Sequence, residues 1–538
     1  MASVTINGKN LEVPDGTNLV RAAEMAGEEI PHYCYHPGLS VAGNCRMCLV
    51  DIVAMSAKQP SPMPKLQIGC NTIVQDGMVI ESNNPRVVEA RQGVLEFLLI
   101  NHPIDCPICD QAGECKLQEY YMDYGRYQSR FALDEKTDKG KAIPIGPDIM
   151  LDQERCILCT RCVRFLEEVT ETNELGIKER GDHSEITLAD GRQVDNPYAT
   201  NIVDICPVGA LTSREFRFRA RVWYLDNSSS VCTGCSTGCN VDVDSREGQI
   251  FRLKPRANAE VNGYWMCDEG RRTWHRNHGD HRLAGSYLRS GEEFSETPAE
   301  EVVHGAATVL QSGKRAAVIA SASASMEEAF LARSIAQRLG DGPCLLVSPA
   351  TSDIADDGKL ISTDRYPNRA GLLALGYREQ LEPPANVDAV VLLRADVVAD
   401  SESMWGSFLE GVRETLVVGD CVGKSMAYAD HVLGVASHFE ADGTFVNRDG
   451  RLQIFRAAIA PPDQTVAGWQ GLAGLLAALG GPSYDSAEEV FSAMCLAIGL
   501  GAGRSHESVG ATGTPLERWR SAGSSAASPI TATVQAPL

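Results

Sequence analysis

The stretch HPIDCPICDQAGEC, residues 102 to 115, offers four metal donors in fourteen residues: His102, Cys106, Cys109 and Cys115. The Cys-x2-Cys pair lets two sulfurs grip adjacent metal atoms from one turn of chain. The five-residue gap to Cys115 then lets the loop return over the other side. Pro103 and Pro107 hold the segment out of a regular helix, and Gly113 permits the reversal. Three cysteines fall one ligand short of a four-iron cluster, and His102 stands where the missing donor is needed. Imidazole is an accepted iron ligand that alters redox potential. The competing reading of His102 is a surface or capping histidine before Pro103.

Three more cysteine groups flank this stretch. Fifteen of the eighteen cysteines lie between Cys34 and Cys267, while Cys344, Cys421 and Cys495 stand alone. A secreted disulfide scaffold would be a short chain with cysteines throughout; clustered cysteines in a long chain without a leader read as a cytosolic metalloprotein, zinc or iron–sulfur. The first group is Cys34, Cys45, Cys48 and Cys70, spaced C-x10-C-x2-C-x21-C. A plant-type [2Fe–2S] ferredoxin has a shorter first gap, and a zinc ribbon wants two Cys-x2-Cys knuckles where only one is present. The third group is Cys156-x2-Cys159-x2-Cys162 with Cys206-Pro207. In a two-cluster bacterial ferredoxin the fourth cysteine of each run serves the other cluster. Here Leu166 takes that place after the first run, and Asn196, Ala199 and Ile202 replace the three cysteines before Cys206. One cluster's ligands are intact and the other's are gone. The fourth group, Cys232-x2-Cys235-x3-Cys239 with Cys267 after a further 27 residues, has the spacing that introduces molybdopterin oxidoreductases; zinc is the alternative there.

The elements that must position these donors are legible nearby. Residues 3 to 13 alternate as two strands around Asn7-Gly8, a hairpin signal. Asp15 or Thr17 is expected to cap a helix over 18–25, and residues 49–53 form a strand. Residues 85–100 read as a helix with Val88, Leu95, Leu98 and Leu99 on its apolar face, delivering His102. From about residue 285 short apolar strands at 316–319, 344–347, 389–393 and 416–418 alternate with helices such as 325–339, an α/β pattern with parallel strands.

Length and charge narrow the classes. The 538 residues suggest three or four domains. A net charge of −22 disfavours binding to nucleic-acid phosphates. No basic-then-apolar leader opens the chain, and no apolar run approaches the roughly 18–20 residues of a membrane span. The expectation is a soluble protein, with any membrane association made through partners.

Taken together, the four groups resemble the large iron–sulfur subunit (the G-type subunit) of respiratory NADH:quinone oxidoreductase, complex I. The residues that carry the resemblance are Gly43-Asn44-Cys45-Arg46-Met47-Cys48, His102-x3-Cys106-x2-Cys109-x5-Cys115, Cys156-x2-Cys159-x2-Cys162 with Cys206-Pro207, and Trp265-Met266-Cys267-Asp268-Glu269-Gly270-Arg271, across about residues 1–275. The resemblance implies a [2Fe–2S] cluster on Cys34, Cys45, Cys48 and Cys70. It implies three [4Fe–4S] clusters: on His102, Cys106, Cys109 and Cys115; on Cys156, Cys159, Cys162 and Cys206; and on Cys232, Cys235, Cys239 and Cys267. The last is found in only some family members, off the main electron path.

The expected fold is multidomain α/β and α+β: an N-terminal β-grasp [2Fe–2S] domain over 1–84, a His/Cys-ligated segment over 85–125, and a one-cluster ferredoxin-like domain over 126–222. A [4Fe–4S] domain of molybdopterin-oxidoreductase type follows over 223–280, then a degenerate molybdopterin-type α/β domain over 281–502 and a flexible or draped tail over 503–538. Phe439 to Arg451 resembles a segment of pterin enzymes, yet no cysteine or serine is placed as a molybdenum ligand, and Cys344 and Cys421 read as structural thiols at strand ends. Gly419 to Ser425 misses the P-loop by one glycine, and Gly499 to Gly503 follows a helical run instead of a strand, so no flavin, NAD or molybdopterin is expected on this chain.

By resemblance, electrons arrive from a flavin-bearing, NADH-oxidising subunit at the [2Fe–2S] end, pass the His102 cluster and then the ferredoxin-domain cluster, and leave through a two-cluster ferredoxin-type subunit toward quinone. The complex would sit peripherally on the cytoplasmic side of the inner (plasma) membrane, and the chain would hold no substrate site of its own. Arg46 could raise the potential of the first cluster or be a plain surface arginine. The alternatives are the electron-carrying part of an NAD-linked formate dehydrogenase or hydrogenase, and a zinc-bearing scaffold without redox role.

Overall fold

The computed structural model describes residues 1–56, 58–132, 135–312, 315–348 and 355–517. The chain divides into two compact units, Met1–Leu225 and Asp226–Leu538.

In the first unit a five-stranded sheet is built from β1 (Ala2–Ile6), β2 (Lys9–Val13), β3 (Leu49–Ala54), β4 (Gln67–Ile68) and β5 (Met78–Glu81), in the order β2-β1-β5-β3-β4. β1 and β2 pair antiparallel with Ile6 opposite Lys9, and the two-residue turn has positive φ at both Asn7 and Gly8, the type I′ geometry that the Asn-Gly pair favours. β1 and β5 run parallel. Alternate residues Val4 and Ile6 of β1 join Val50, Ile52, Met78 and Ile80 in a core covered by α1 (Leu19–Met25) through Leu19, Val20, Ala22 and Ala23. Each fully buried aliphatic side chain of this kind stabilises by about 1.5–3 kcal/mol.

The cap of α1 differs from expectation. Asn18, not Asp15 or Thr17, accepts the Arg21 N–H at 3.0 Å. Thr17 Oγ1 is turned back to donate to Pro14 O, and Asp15 pairs with the terminal ammonium. Helix α2 (Pro85–Leu99) starts on an Asn84 cap with proline in its first turn, where the missing N–H is harmless. Of the expected face Leu95 is fully buried, Leu98 and Leu99 pack half-buried against the same core, and Val88 is half-buried; the stripe widens to take in Val87 and Arg91. The reason is Arg91, fully buried, which donates to Asn83 Oδ1 and Leu49 O and lies over the Tyr124 ring at 4.9 Å. Two further helices matter below: α3 (Lys116–Tyr124) and α4 (Arg161–Glu168).

In the second unit a three-stranded antiparallel sheet (Asp226–Val231, Asn240–Arg246, Gln249–Pro255) precedes an eight-stranded one. The larger sheet runs Glu293–Thr297, Ser286–Ser290, His431–Gly434, Glu414–Gly419, Ala389–Leu393, Ala316–Ala320, Cys344–Leu346, Arg378–Glu379. The last six are mutually parallel, as the apolar runs predict, and the first two add antiparallel. Apolar cores lie on both faces. The order of strands reverses between Ala316–Ala320 and Ala389–Leu393, the switch point of a doubly wound sheet. The helix after Ala320 (Met326–Arg338) opens with a complete Ser325–Glu328 capping box.

Part of the expected tail is folded. His506–Val509 is helical, and Thr514–Pro515 pairs with Arg451–Phe455. Residues 518–538 of that tail lie outside the described residues. Among the described residues no helix is long and apolar enough to cross a membrane.

Loss of an Asn cap costs about 1 kcal/mol. Asn18→Ala should therefore speed amide exchange in α1 about fivefold, read by hydrogen exchange on the full chain, while Thr17→Ala leaves it nearly unchanged.

Candidate metal centres

All eighteen cysteines are free thiols, so the four groups are not bridged to one another. In the first group Cys34 meets the side chains of both Cys45 and Cys70, and Cys70 meets Cys48. The four form one contiguous patch at the edge of the sheet, with Cys48 leading into β3 and Cys70 in the short helix Gly69–Asn71 after β4. Hydrogen bonds from Cys45 and Cys70 lower the Cys34 thiol, and the donors are raised in return; Cys48 is lowered by Cys70. The Cys34 N–H points to Cys45 Sγ at 3.5 Å, a bond that favours the thiolate form. Arg46 is exposed, with φ near +60°, and is a surface residue of this loop.

In the second group Cys106 opens a short helix (Cys106–Ile108), Cys109 ends it, and Cys115 caps α3. Gly113 makes the reversal at φ +90°, and a Cβ there would strike Trp223 at 2.7 Å. Burial pushes Cys109 up and Cys115 up to about 11, with the neighbouring thiols of the same group adding to both. His102 follows α2, whose end is held by Lys136 donating to Leu99 O at 3.0 Å and His102 O at 2.6 Å. Burial lowers the imidazole to about 4, so it is neutral at physiological pH. Its Nδ1 is buried and has no hydrogen-bond partner among the described residues. A buried, neutral, unpartnered ring nitrogen costs free energy unless something accepts its lone pair or proton, and a metal does so. His102 and Cys109 also share the charges of Asp105 and Arg155. Arg155, itself buried, is fixed by Asp105 at 2.8 Å and Asp152 at 3.3 Å.

The third group is gathered from α4, its preceding loop and the Cys206-Pro207 turn. Cys156, Cys159, Cys162 and Cys206 line one small cavity of about 20 Å³, whose other walls include Leu151, Ile157, Ile186, Val208 and Leu211. Burial and mutual repulsion raise Cys156 to about 12 and Cys159 to about 11, and lift Cys162 and Cys206 as well. The Leu158 N–H reaches Cys156 Sγ at 3.4 Å.

The fourth group sits on a hairpin loop, Cys232 bonding through its N–H to Cys239 O at 2.8 Å, with Cys267 as the cap of the short helix Asp268–Arg271. Gly234 and Gly270 amides donate to Cys232 Sγ and Cys267 Sγ at 3.4 and 3.3 Å. Burial raises Cys232, Cys239 and Cys267.

Among the described residues no three His, Cys, Asp or Glu side chains close on one point as a single bound ion would require. The third group lines a small cavity, whereas the thiols of the first group meet one another directly. The donor chemistry fits a cluster: burial that disfavours thiolates is offset when iron supplies the compensating charge. Within the groups, Cys106, Cys109 and Cys115 lie within electrostatic reach of one another, as do the four cysteines of the third group and the four of the fourth; His102 shares with Cys109 the neighbours Asp105 and Arg155. Sequence reasoning missed the arginines beside them. Arg161 stands inside a Cys-x2-Cys loop as Arg46 does; that shared position was the available signal.

The carboxyl ends of the parallel strands border a cavity of about 480 Å³, lined among others by Arg276, Ser321, Arg394, Asp420, His438 and Trp469. Its charges are paired internally: Arg394 binds Glu328 at 2.7 Å and Asp420 at 3.2 Å. The turn with P-loop likeness is filled by Asp396, which accepts from Lys424 N, Ser425 N and Ser425 Oγ. Cys421 is half-buried and accepts from Arg276.

Comparison with known proteins places these groups in described domains. Residues 1–85 match the 2Fe-2S iron-sulfur cluster binding domain, and 91–130 the NADH-ubiquinone oxidoreductase-G iron-sulfur binding region. Residues 146–212 match the NADH-quinone oxidoreductase subunit 3 ferredoxin-like domain, and 227–279 the molybdopterin oxidoreductase Fe4S4 domain. The chain is 40% identical to the G-type subunit of NADH-quinone oxidoreductase from Rickettsia felis over 346 residues, 63% of this chain and 49% of that protein. It is 40% identical to the mitochondrial NADH-ubiquinone oxidoreductase 78 kDa subunit of Candida albicans over 308 residues, 56% of this chain and 40% of that protein. The chain thus spans about half the length, or less, of these curated relatives. A solved NAD+-reducing [NiFe]-hydrogenase chain in the H2-reduced state is 30% identical with a TM-score of 0.36, covering 41% of this chain and 91% of that one.

Two glycines test the geometry of separate groups. A Cβ on Gly209 would stand 2.4 Å from Cys109 Sγ, and one on Gly270 would stand 2.9 Å from Cys232 Sγ and 3.3 Å from Cys267 Sγ. Gly209→Ala should perturb the EPR signal of the second group, and Gly270→Ala that of the fourth, each leaving the other's signal in place.

Proposed function

We propose that this chain, whose cysteine-bearing half is related to the large iron–sulfur subunit of NADH-quinone oxidoreductase, relays electrons within such a complex, from an NADH-oxidising flavin subunit toward quinone. The observation that carries the reading is the gathering of Cys156, Cys159, Cys162 and Cys206 around one cavity, beside three further sets of neighbouring free thiols. The proposed ligands are Cys34, Cys45, Cys48 and Cys70 for one [2Fe–2S] cluster, and three sets for [4Fe–4S] clusters. Those sets are His102 with Cys106, Cys109 and Cys115; Cys156, Cys159, Cys162 and Cys206; and Cys232, Cys235, Cys239 and Cys267. Clusters bound there exchange single electrons with little change in geometry.

What the chain itself contributes is spacing, charge and dryness. The Asn44 side chain, inside the first loop, donates to Leu158 O in the third. Lys116, next to Cys115, donates through its N–H to Pro207 O, next to Cys206. The third group therefore touches both others, and Tyr33 lies within electrostatic reach of Cys115 of the second group and Cys45 of the first. These contacts support the order first, third, second, in place of the order read from the resemblance. The chain returns after α3, and Arg164 joins Cys159 O to Cys34 O. Exposed Ile104, Ile108, Phe218 and Trp223, with Arg221 bonded to Cys109 O, border the second group and support an exit there to a partner subunit. The fourth group lies in the other unit, in keeping with a place off the main path.

The formate dehydrogenase, hydrogenase and zinc-scaffold readings gain no comparable support from relatives at 40% identity. Anaerobically purified full chain should carry about fourteen iron atoms, one two-iron and three four-iron sites, and no stoichiometric zinc. His102→Ala or His102→Cys should shift or abolish one EPR signal only; unchanged spectra would remove His102 from the ligands.

A further inference from the structure

We infer that Arg161 is a shared potential-setting residue: one guanidinium placed between the Cys34–Cys70 group and the Cys156–Cys206 group, raising the potentials of both together. The inference rests on the proposed function, since it takes both groups to hold clusters.

The geometry is that of a bridge. Arg161 is the first residue of α4 and lies between Cys159 and Cys162. Its Nη1 donates to Ile205 O at 3.1 Å, beside Cys206, and its Nη2 to Tyr35 O, beside Cys34. Each hand of the fork thus grips the residue next to a proposed ligand of a different group. The third donor nitrogen, Nε, is buried and has no acceptor among the described residues. A buried, unpartnered charged donor is costly, and a bound cluster's sulfur would relieve it. Cys34, Cys45, Cys159 and Cys206 all lie within electrostatic reach of the same guanidinium. One turn on, Arg164 repeats the span: its Nη2 donates to Cys34 O at 2.5 Å and Cys159 O at 3.4 Å, and its Nη1 to Ser40 O. Arg164 fixes the two loops to each other, and Arg161 carries its charge to the sulfurs.

The consequence is electrostatic. Each cluster gains one negative charge on reduction, and a fixed cation in a poorly screened interior stabilises the reduced form. A cation shared by two clusters lifts both potentials in the same direction, so their difference changes less than either potential does. An arginine serves because its planar fork holds two carbonyls at once while remaining charged.

The test is an EPR-monitored redox titration of the full chain with its clusters, in wild type, R161Q and R161K. In R161Q the midpoints of the [2Fe–2S] cluster and of the ferredoxin-domain cluster should both move negative. In R161K both should move the same way by less, and the midpoint of the Cys232 cluster should stay fixed throughout. A shift in only one of the two midpoints, or in neither, overturns the inference. Should R161Q fail to retain iron, R161K alone carries the same two-midpoint criterion. Wild-type chain without iron would overturn the proposed function itself, whereas fully loaded protein with unmoved midpoints overturns only the role of Arg161.

Discussion

Packing thiols beside thiols inside a protein is an electrostatic problem, and most features of this molecule are answers to it. Burial raises the thiols of the third and fourth groups, and each neighbouring sulfur raises them further. Left alone, such a group is inert and offers little to the fold. It becomes reasonable when a cationic centre lies among the sulfurs and when backbone amides and arginines share the remaining charge. Amides of Leu158, Gly234 and Gly270 aim at sulfurs. Arg155 and Arg164 stand buried next to cysteine loops, and Arg161 half-buried between them.

That constraint also explains the scaffold's irregularity near the groups. Cysteines sit in tight loops, at helix starts and in single 3-10 turns because these leave amides free to point at sulfur. Thr160 and Leu158, neither a glycine, hold positive φ in the third loop, and Gly113 and Gly238 hold it in the second and fourth. Regular structure begins immediately outside: β3 after Cys48, α3 after Cys115, the Asp268–Arg271 helix after Cys267. The doubly wound sheet of the second unit solves a different problem. It buries continuous apolar strands on both faces and turns its carboxyl edge to a cavity whose arginine and acids neutralise one another.

The proposed relay also needs its sites close together and dry. Tyr33, Cys34, Met47, Leu95, Cys115, Leu117, Tyr120, Cys159 and Val208 belong to one apolar core, so residues of the first three groups share a single low-dielectric interior. Within it a fixed charge acts over longer distances than at the surface, which gives Arg161 leverage that the exposed Arg46 lacks.

How much of this could be seen without coordinates depends on the range of the interaction concerned. The β1–β2 hairpin, the helix beginning at Ser325 and the parallel strand runs are local: turn chemistry and periodicity fix them within a few residues or one motif. The full width of the buried face of α2 was not local, because Arg91 is buried by Asn83, Leu49 and Tyr124, partners that periodicity cannot weigh. The cap of α1 passed to Asn18 because Thr17 and Asp15 had been engaged elsewhere. The order of the groups in space, and the arginines between them, belong wholly to the tertiary structure. Sequence lists the donors along a line, and only folding decides which sulfurs lie next to one another, since charge and electron transfer act through distance and not through chain position.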